Sequence, residues 1–193
     1  MVLSNSEIVE AIKAGHFAIE GLPTLDPSEP PFNTSAVDLK LADELVIPND
    51  FMGQLDLSKK SHGGIASHWN VHSSKFVLSA DQPFSLKRNQ FVLGNTVERV
   101  DFSVKSKTPS YAARVEGKSS LARCGMLVHF TAPTIHTGFK GKITLEIINL
   151  GPSEILLKPG MPICQLIIEE VKGVPVQTPG QFINQHAVVG VLP

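Results

Sequence analysis

The chain has 193 residues, so one domain is expected, and its 42% hydrophobic content can supply a real core. A formal net charge of −1, with 18% charged residues, argues against electrostatic attraction to nucleic acid or an anionic membrane. No apolar run approaches the roughly 20 residues of a membrane helix, and the start, MVLSNSEIVEAIKAG, lacks the basic-then-apolar order of a signal peptide, so a cytoplasmic location is expected.

In chain order, Ser4 precedes Glu7 by three, the spacing of a capping box. Ile8, Ala11 and Ile12 then form one helical face, and Gly15 can close the helix in the left-handed conformation. Residues 21–33 are proline-rich and predict a loop. Val37, Leu39 and Leu41 alternate with Asp38 and Lys40, which predicts a strand within a strand-rich stretch ending near Ile47. Residues 57–82 open polar and glycine-bearing, as a long surface connection, and end in a strand at FVLSA. Two strands joined by a turn near Lys87–Asn89 are expected over residues 83–102. From Ala112 onward the pattern is strand, turn, strand. ITLEIINL places Ile143, Leu145 and Ile147 on one face and Thr144, Glu146 and Ile148 on the other. A Pro-Gly turn separates two strands in EILLKPGMPICQLIIEEV. Residues 174–193 form a mixed polar and apolar tail.

Fourteen prolines and fifteen glycines cut the chain into short segments, favouring strands and turns over long helices. The fold class is therefore mainly β, a sandwich or barrel with a short N-terminal helix. Cys124 and Cys164, each flanked by apolar residues, read as reduced, buried thiols of an intracellular protein.

Three groups of residues carry candidate chemistry. GKSSLAR, residues 117–123, combines a glycine, Ser119 and Ser120 with Lys118 and Arg123. Phosphate oxygens are held by such hydroxyls and cations, and Arg can bind them through two donors. The order is not that of a Walker A loop, and the same residues would also serve as a serine-capped helix start with a solvated arginine. Glu146 either faces solvent on an alternating strand or lines a pocket where it moves protons. His136 lies in a turn, where a lone histidine is commonly structural or solvated. His62, His68 and His72 have no cysteine or carboxylate partner close in sequence, and helix formers are few around them, so no metal site is expected there. No H-x-E with P-C-x-x-C signature of a zinc deaminase is present.

GKSSLARCGMLVHFTA, followed by GFKGKITLE, resembles the signature of the dCTP deaminases, the metal-independent branch of the trimeric dUTPase superfamily. NTSAVDLKL (33–41) and KPGMPICQLI (158–167) are similar to two further motifs of that group. The resemblance covers most of the chain. It implies a distorted jelly-roll or β-barrel of the dUTPase-like type, assembled as a homotrimer with active sites between subunits. It also implies dCTP as substrate, Mg²⁺ carried on the triphosphate, and no zinc. Lys118, Ser119, Ser120, Leu121, Ala122 and Arg123 would bind the nucleotide, together with His136, Thr144, Leu145, Glu146, Gln165 and Gln185. Glu146 would be the general base and acid, Ser119 and Arg123 would lie near the reacting base, and the Ala132 carbonyl would position water.

Three departures bear on these expectations. Lys118 stands where arginine is usual, which keeps charge but loses the planar fork. His136 stands where the superfamily has an aspartate tied to dUTP hydrolysis. The tail keeps Phe182 and Gln185, but Gln181 replaces the lysine of a triphosphate clamp and the upstream tyrosine is missing. The resemblance therefore implies deamination of dCTP to dUTP. A dUTP diphosphatase or bifunctional dUMP-forming enzyme is the first alternative, and a non-catalytic nucleotide-binding trimer the second.

Overall fold

A computed structural model describes residues 1–50, 54–56, 62–105, 109–176 and 188–189, with residues 62–66 described by their backbone alone. Helix α1 (Asn5–Lys13) forms where its cap predicts: the Ser4 hydroxyl accepts from the Glu7 N–H, and the Glu7 carboxylate accepts from the Ser4 N–H. Ile8, Val9 and Ala11 are buried, and Gly15 ends the segment at φ 71°.

Two sheets enclose one core. The first contains β5 (Ser73–Val77), β4 (Glu44–Pro48), β7 (Phe91–Asp101), β11 (Lys140–Asn149) and β9 (Met126–Val128) in that order, with β1 (Ala18–Glu20) also paired to β7. In the second, the order is β10 (Thr134–Ile135), β8 (Ser110–Gly117), β13 (Pro162–Val171), β3 (Ala36–Lys40) and β2 (Phe32–Asn33). Inward residues of both, including Val37, Leu39, Val115 and Leu166 from one and Val92, Leu145 and Ile147 from the other, belong to a single buried cluster. Alternation predicted this for β3 and β11, and burial is what fixes their register, since a one-residue slip would expose the whole apolar set.

Among the described residues neither strand order closes on itself, so of the expected sandwich or barrel it is the sandwich of two open sheets that forms. The turn near Lys87–Asn89 exists, with Asn89 at φ 60°, but β6 (Phe84–Leu86) pairs with β12 (Ile155–Leu157) and not with β7. Likewise the Pro-Gly turn leads β12 into a strand of another sheet. These turns are corners between sheets rather than hairpins.

The expected surface connection over 57–82 contains helix α2 (His62–Val71) instead. Trp69 at its end packs against a small cluster of Val46, Leu93 and Val188, and that contact supplies what weak local propensity does not. Cys164 is buried as expected, and burial pushes its thiol up, but Cys124 is exposed because it ends a surface turn. No helix among the described residues is long and apolar enough to cross a membrane.

Candidate active site

β11 presents the central acid. Ile143, Leu145 and Ile147 turn into the core, so Thr144 and Glu146 project from the outer face of the first sheet. Pairing with β9 covers Ile147 to Asn149, and β9 then ends at Val128. His129 follows in the left-handed region, φ 53°, and its N–H donates to the Glu146 carbonyl at 2.8 Å. That backbone twist brings the imidazole over the acid: Nδ1 lies 2.9 Å from Glu146 Oε2. The contact is at ion-pair distance but is not aligned as a directed hydrogen bond, and both ring nitrogens are otherwise without a partner among the described residues. Partial burial pushes the Glu146 carboxyl up; His129 beside it outweighs that and holds it below its ordinary value. Glu146 is thus a half-buried carboxylate backed by a buried histidine that favours its charged form.

Strand residues alternate the edge to which their backbone polar groups point. Thr144 therefore shares the Glu146 edge, beyond the end of β9, while Leu145 directs its polar groups toward Gly94 on β7. A ligand edge reading β11 would meet Thr144 before Leu145. The Thr144 hydroxyl donates to the Val188 carbonyl at 2.9 Å, which sets a piece of the C-terminal tail on the face that carries Glu146. Val188 is buried there against Val46 and Leu93, and Leu93 is the β7 residue opposite Glu146.

The second group lies at the end of β8. Lys118 is the N-cap of α3 (Ser119–Ala122), with no side-chain cap, so the serine-capped alternative does not occur. Ser119, Ser120 and Arg123 are exposed, while Leu121 packs against the core and pins the turn. Gly125, at φ 88°, closes it. A Cβ there would sit 2.3 Å from the Gly151 nitrogen, and one at Gly151 would sit 2.0 Å from the Cys124 carbonyl. Only two glycines allow these backbones to meet. The Lys118 ammonium donates to Asp38 Oδ2 on β3. Gln165 on β13 stands opposite both Asp38 and Glu116, on the outer face of the second sheet.

One chain therefore holds these residues in two groups. Glu146, Thr144 and His129 occupy the outer face of one sheet. Lys118, Gln165 and Asp38 occupy that of the other, with the core between and Ser119 to Arg123 at the crossover. Among the described residues no hydrogen bond or ion pair joins the groups. Ala132 is exposed in the loop before β10, and His136 is exposed in the turn after it, where its carbonyl accepts from the Phe139 N–H. Gln185, Phe182 and Gln181 lie outside the described residues, as does most of the tail. Sequence reasoning passed over His129, although it stands inside the quoted run; its signal was a polar residue directly after a buried strand. No three His, Cys, Asp or Glu side chains among the described residues converge as a metal site.

A family model described as dCTP deaminase-like matches residues 2–171. A protein of Salinispora arenicola named "dCTP deaminase, dUMP-forming" is 37% identical over 98% of this chain and 88% of its own length. One of Halorubrum lacusprofundi named "dCTP deaminase" is 32% identical, covering 89% and 78%. Among solved structures, 2'-deoxycytidine 5'-triphosphate deaminase from Agrobacterium tumefaciens superposes with a TM-score of 0.61 at 16% identity, over 86% of this chain and 47% of that one. The last likeness speaks for the fold.

Proposed function

Since this chain belongs to the dCTP deaminase-like family, we propose that it hydrolyses dCTP to dUTP and ammonia. The observation that carries this reading is Glu146, half-buried on β11 with the His129 ring 2.9 Å from its carboxylate. The carboxylate takes a proton from water, and the hydroxide adds to C4 of the cytosine. Glu146 delivers that proton to N3, then takes the proton of the new C4 hydroxyl and passes it to the amino group, so that the C4–N bond breaks, ammonia leaves and the C4 carbonyl forms. The Ala132 carbonyl positions the water, and Ser119 and Arg123 lie by the reacting base. The Thr144 backbone, with Leu145 beside it, reads the base edge.

Lys118, Ser119, Ser120, Arg123 and the backbone of Leu121 and Ala122 bind the triphosphate, with Gln165 nearby. Mg²⁺ arrives on the triphosphate as part of the substrate, and the hydroxyls and cations of this turn suit the phosphate oxygens. His136 lies by the sugar. Residues 174–193, with Gln185, close over the nucleotide, a reading supported by the Thr144–Val188 contact. Because the two groups sit on opposite faces of the sandwich, a complete site needs a second copy, and a homotrimer with sites between subunits meets that need.

Incubating the purified protein with dCTP and Mg²⁺ and following ammonia tests the reading. Release of ammonia with formation of a uracil nucleotide is expected, and its absence from a folded oligomer rejects deamination. Glu146→Gln should abolish turnover with the oligomer intact. The second reading, a dUMP-forming enzyme, is favoured by the name and coverage of the Salinispora relative. Pyrophosphate release alongside ammonia would establish it, and its complete absence would exclude it.

A further inference from the structure

Lys118 has a built support. Its ammonium donates to Oδ2 of Asp38, and the Asn33 side-chain amide donates to Oδ1 of the same carboxylate at 2.9 Å. Both carboxylate oxygens are thus occupied, one by a brace from β2 and the other by the cation. The pair is well covered, with 23% of the Lys118 side chain and 20% of the Asp38 side chain exposed. Gln165 stands opposite Asp38 on the neighbouring strand.

An aspartate beside a phosphate-binding turn is unexpected on charge alone, since it repels the ligand. Its position makes sense if it acts through the lysine. A guanidinium is a rigid fork that arrives with its donors arranged, whereas an ammonium on four flexible carbons must be held in place. With one of its three donors fixed on Asp38, Lys118 keeps two for a ligand, and it directly precedes the exposed Ser119 and Ser120. We infer that Asp38, braced by Asn33, is a positioning residue that orients Lys118 toward a phosphate oxygen of the nucleotide. This rests on the triphosphate-binding reading of residues 118–123.

The two accounts of Asp38 differ in sign. If it merely repels anions, Asp38→Asn tightens nucleotide binding; if it positions Lys118, the same isosteric change weakens it. We therefore expect Asp38→Asn to raise KM for dCTP about tenfold, the scale of a charge-assisted hydrogen bond, with little change in kcat. Lys118→Met should do at least as much. The double variant should be no worse than Lys118→Met, because Asp38 then has nothing to hold. Asn33→Ala, on an exposed residue, should give a smaller rise of the same kind. A KM that is unchanged or lower in Asp38→Asn overturns the inference. So does a double variant that multiplies the two single effects, which would mean that Asp38 meets the nucleotide or its Mg²⁺ directly. Binding of inorganic tripolyphosphate to the same four variants repeats the test without turnover. If the wild type releases no ammonia but binds tripolyphosphate with this pattern, the deaminase reading fails and the role of Asp38 stands.

Discussion

Glu146 is pulled in two directions. Burial favours its neutral form, and His129, 2.9 Å away, favours the carboxylate and prevails. Removing the histidine takes away the larger influences that oppose burial and leaves only a backbone hydrogen bond against it, so the carboxyl rises. Asparagine is the informative replacement, because it tolerates the φ of 53° that residue 129 requires. In His129→Asn, the acidic limb of the kcat/KM profile for dCTP should move to higher pH, and an unmoved limb would show that His129 does not set the charge of Glu146. The sequence made Glu146 legible through alternation along β11, which fixed its face. It did not make His129 legible. Nothing local says that a residue will adopt the left-handed conformation at the end of β9, and only the pairing of β9 with β11 brings that ring to the acid. The Lys118–Asp38 contact is hidden for the same reason, because it spans 80 positions of chain.

Elements were legible where one segment suffices. α1 carries its own cap, and β3 and β11 carry their own alternation. Partners were not: the turns after β6 and β12 look like hairpin turns, yet each connects different sheets, since turn chemistry specifies a reversal and not what the next strand pairs with. The join between β7 and β11 has a pH signature. Burial pushes the Asp101 carboxyl up, but the Lys140 ammonium at 2.7 Å and bonds from Ser103 outweigh it and bring the value down to about 2. A lowered folded pKa stabilises the fold above the unfolded value and loses that contribution as pH falls through the folded one. Asp101→Asn should therefore cost up to about 2 kcal/mol in chemical denaturation at pH 7, a gap that closes between about pH 4 and pH 2. A gap that persists at pH 2 would assign the loss to packing. The contact between Gly125 and Gly151 is steric and has no such signature. Alanine at either position meets backbone atoms within 2.3 Å, so each change should cost about 2 kcal/mol or more at any pH, read as a fall in Tm.

At the scale of the molecule, the sandwich separates the two groups that the proposed site would bring together. The strands that carry Glu146 and Asp38 belong to different sheets, their side chains point outward, and the core fills the space between. Packed sheets lie about 10 Å apart before outward side chains are counted, and the proposed site bridges that separation between copies and not through the core. A neighbouring copy can bring its α3 turn to the Glu146 face of the first. Complementation distinguishes this from a site completed within the chain. Glu146→Gln and Arg123→Ala should each be inactive alone. Refolded together in equal amounts, they form mixed assemblies in which an intact Glu146 meets an intact Arg123 across some interfaces. Random mixing makes about a quarter of the sites complete, so ammonia release should return to about that fraction of wild type. If each site is built within one chain, every site in the mixture lacks one group and no activity returns. Coexpression with two distinct affinity tags, followed by sequential capture, isolates the mixed assemblies. Activity confined to that fraction would place the two groups on different subunits of the same site.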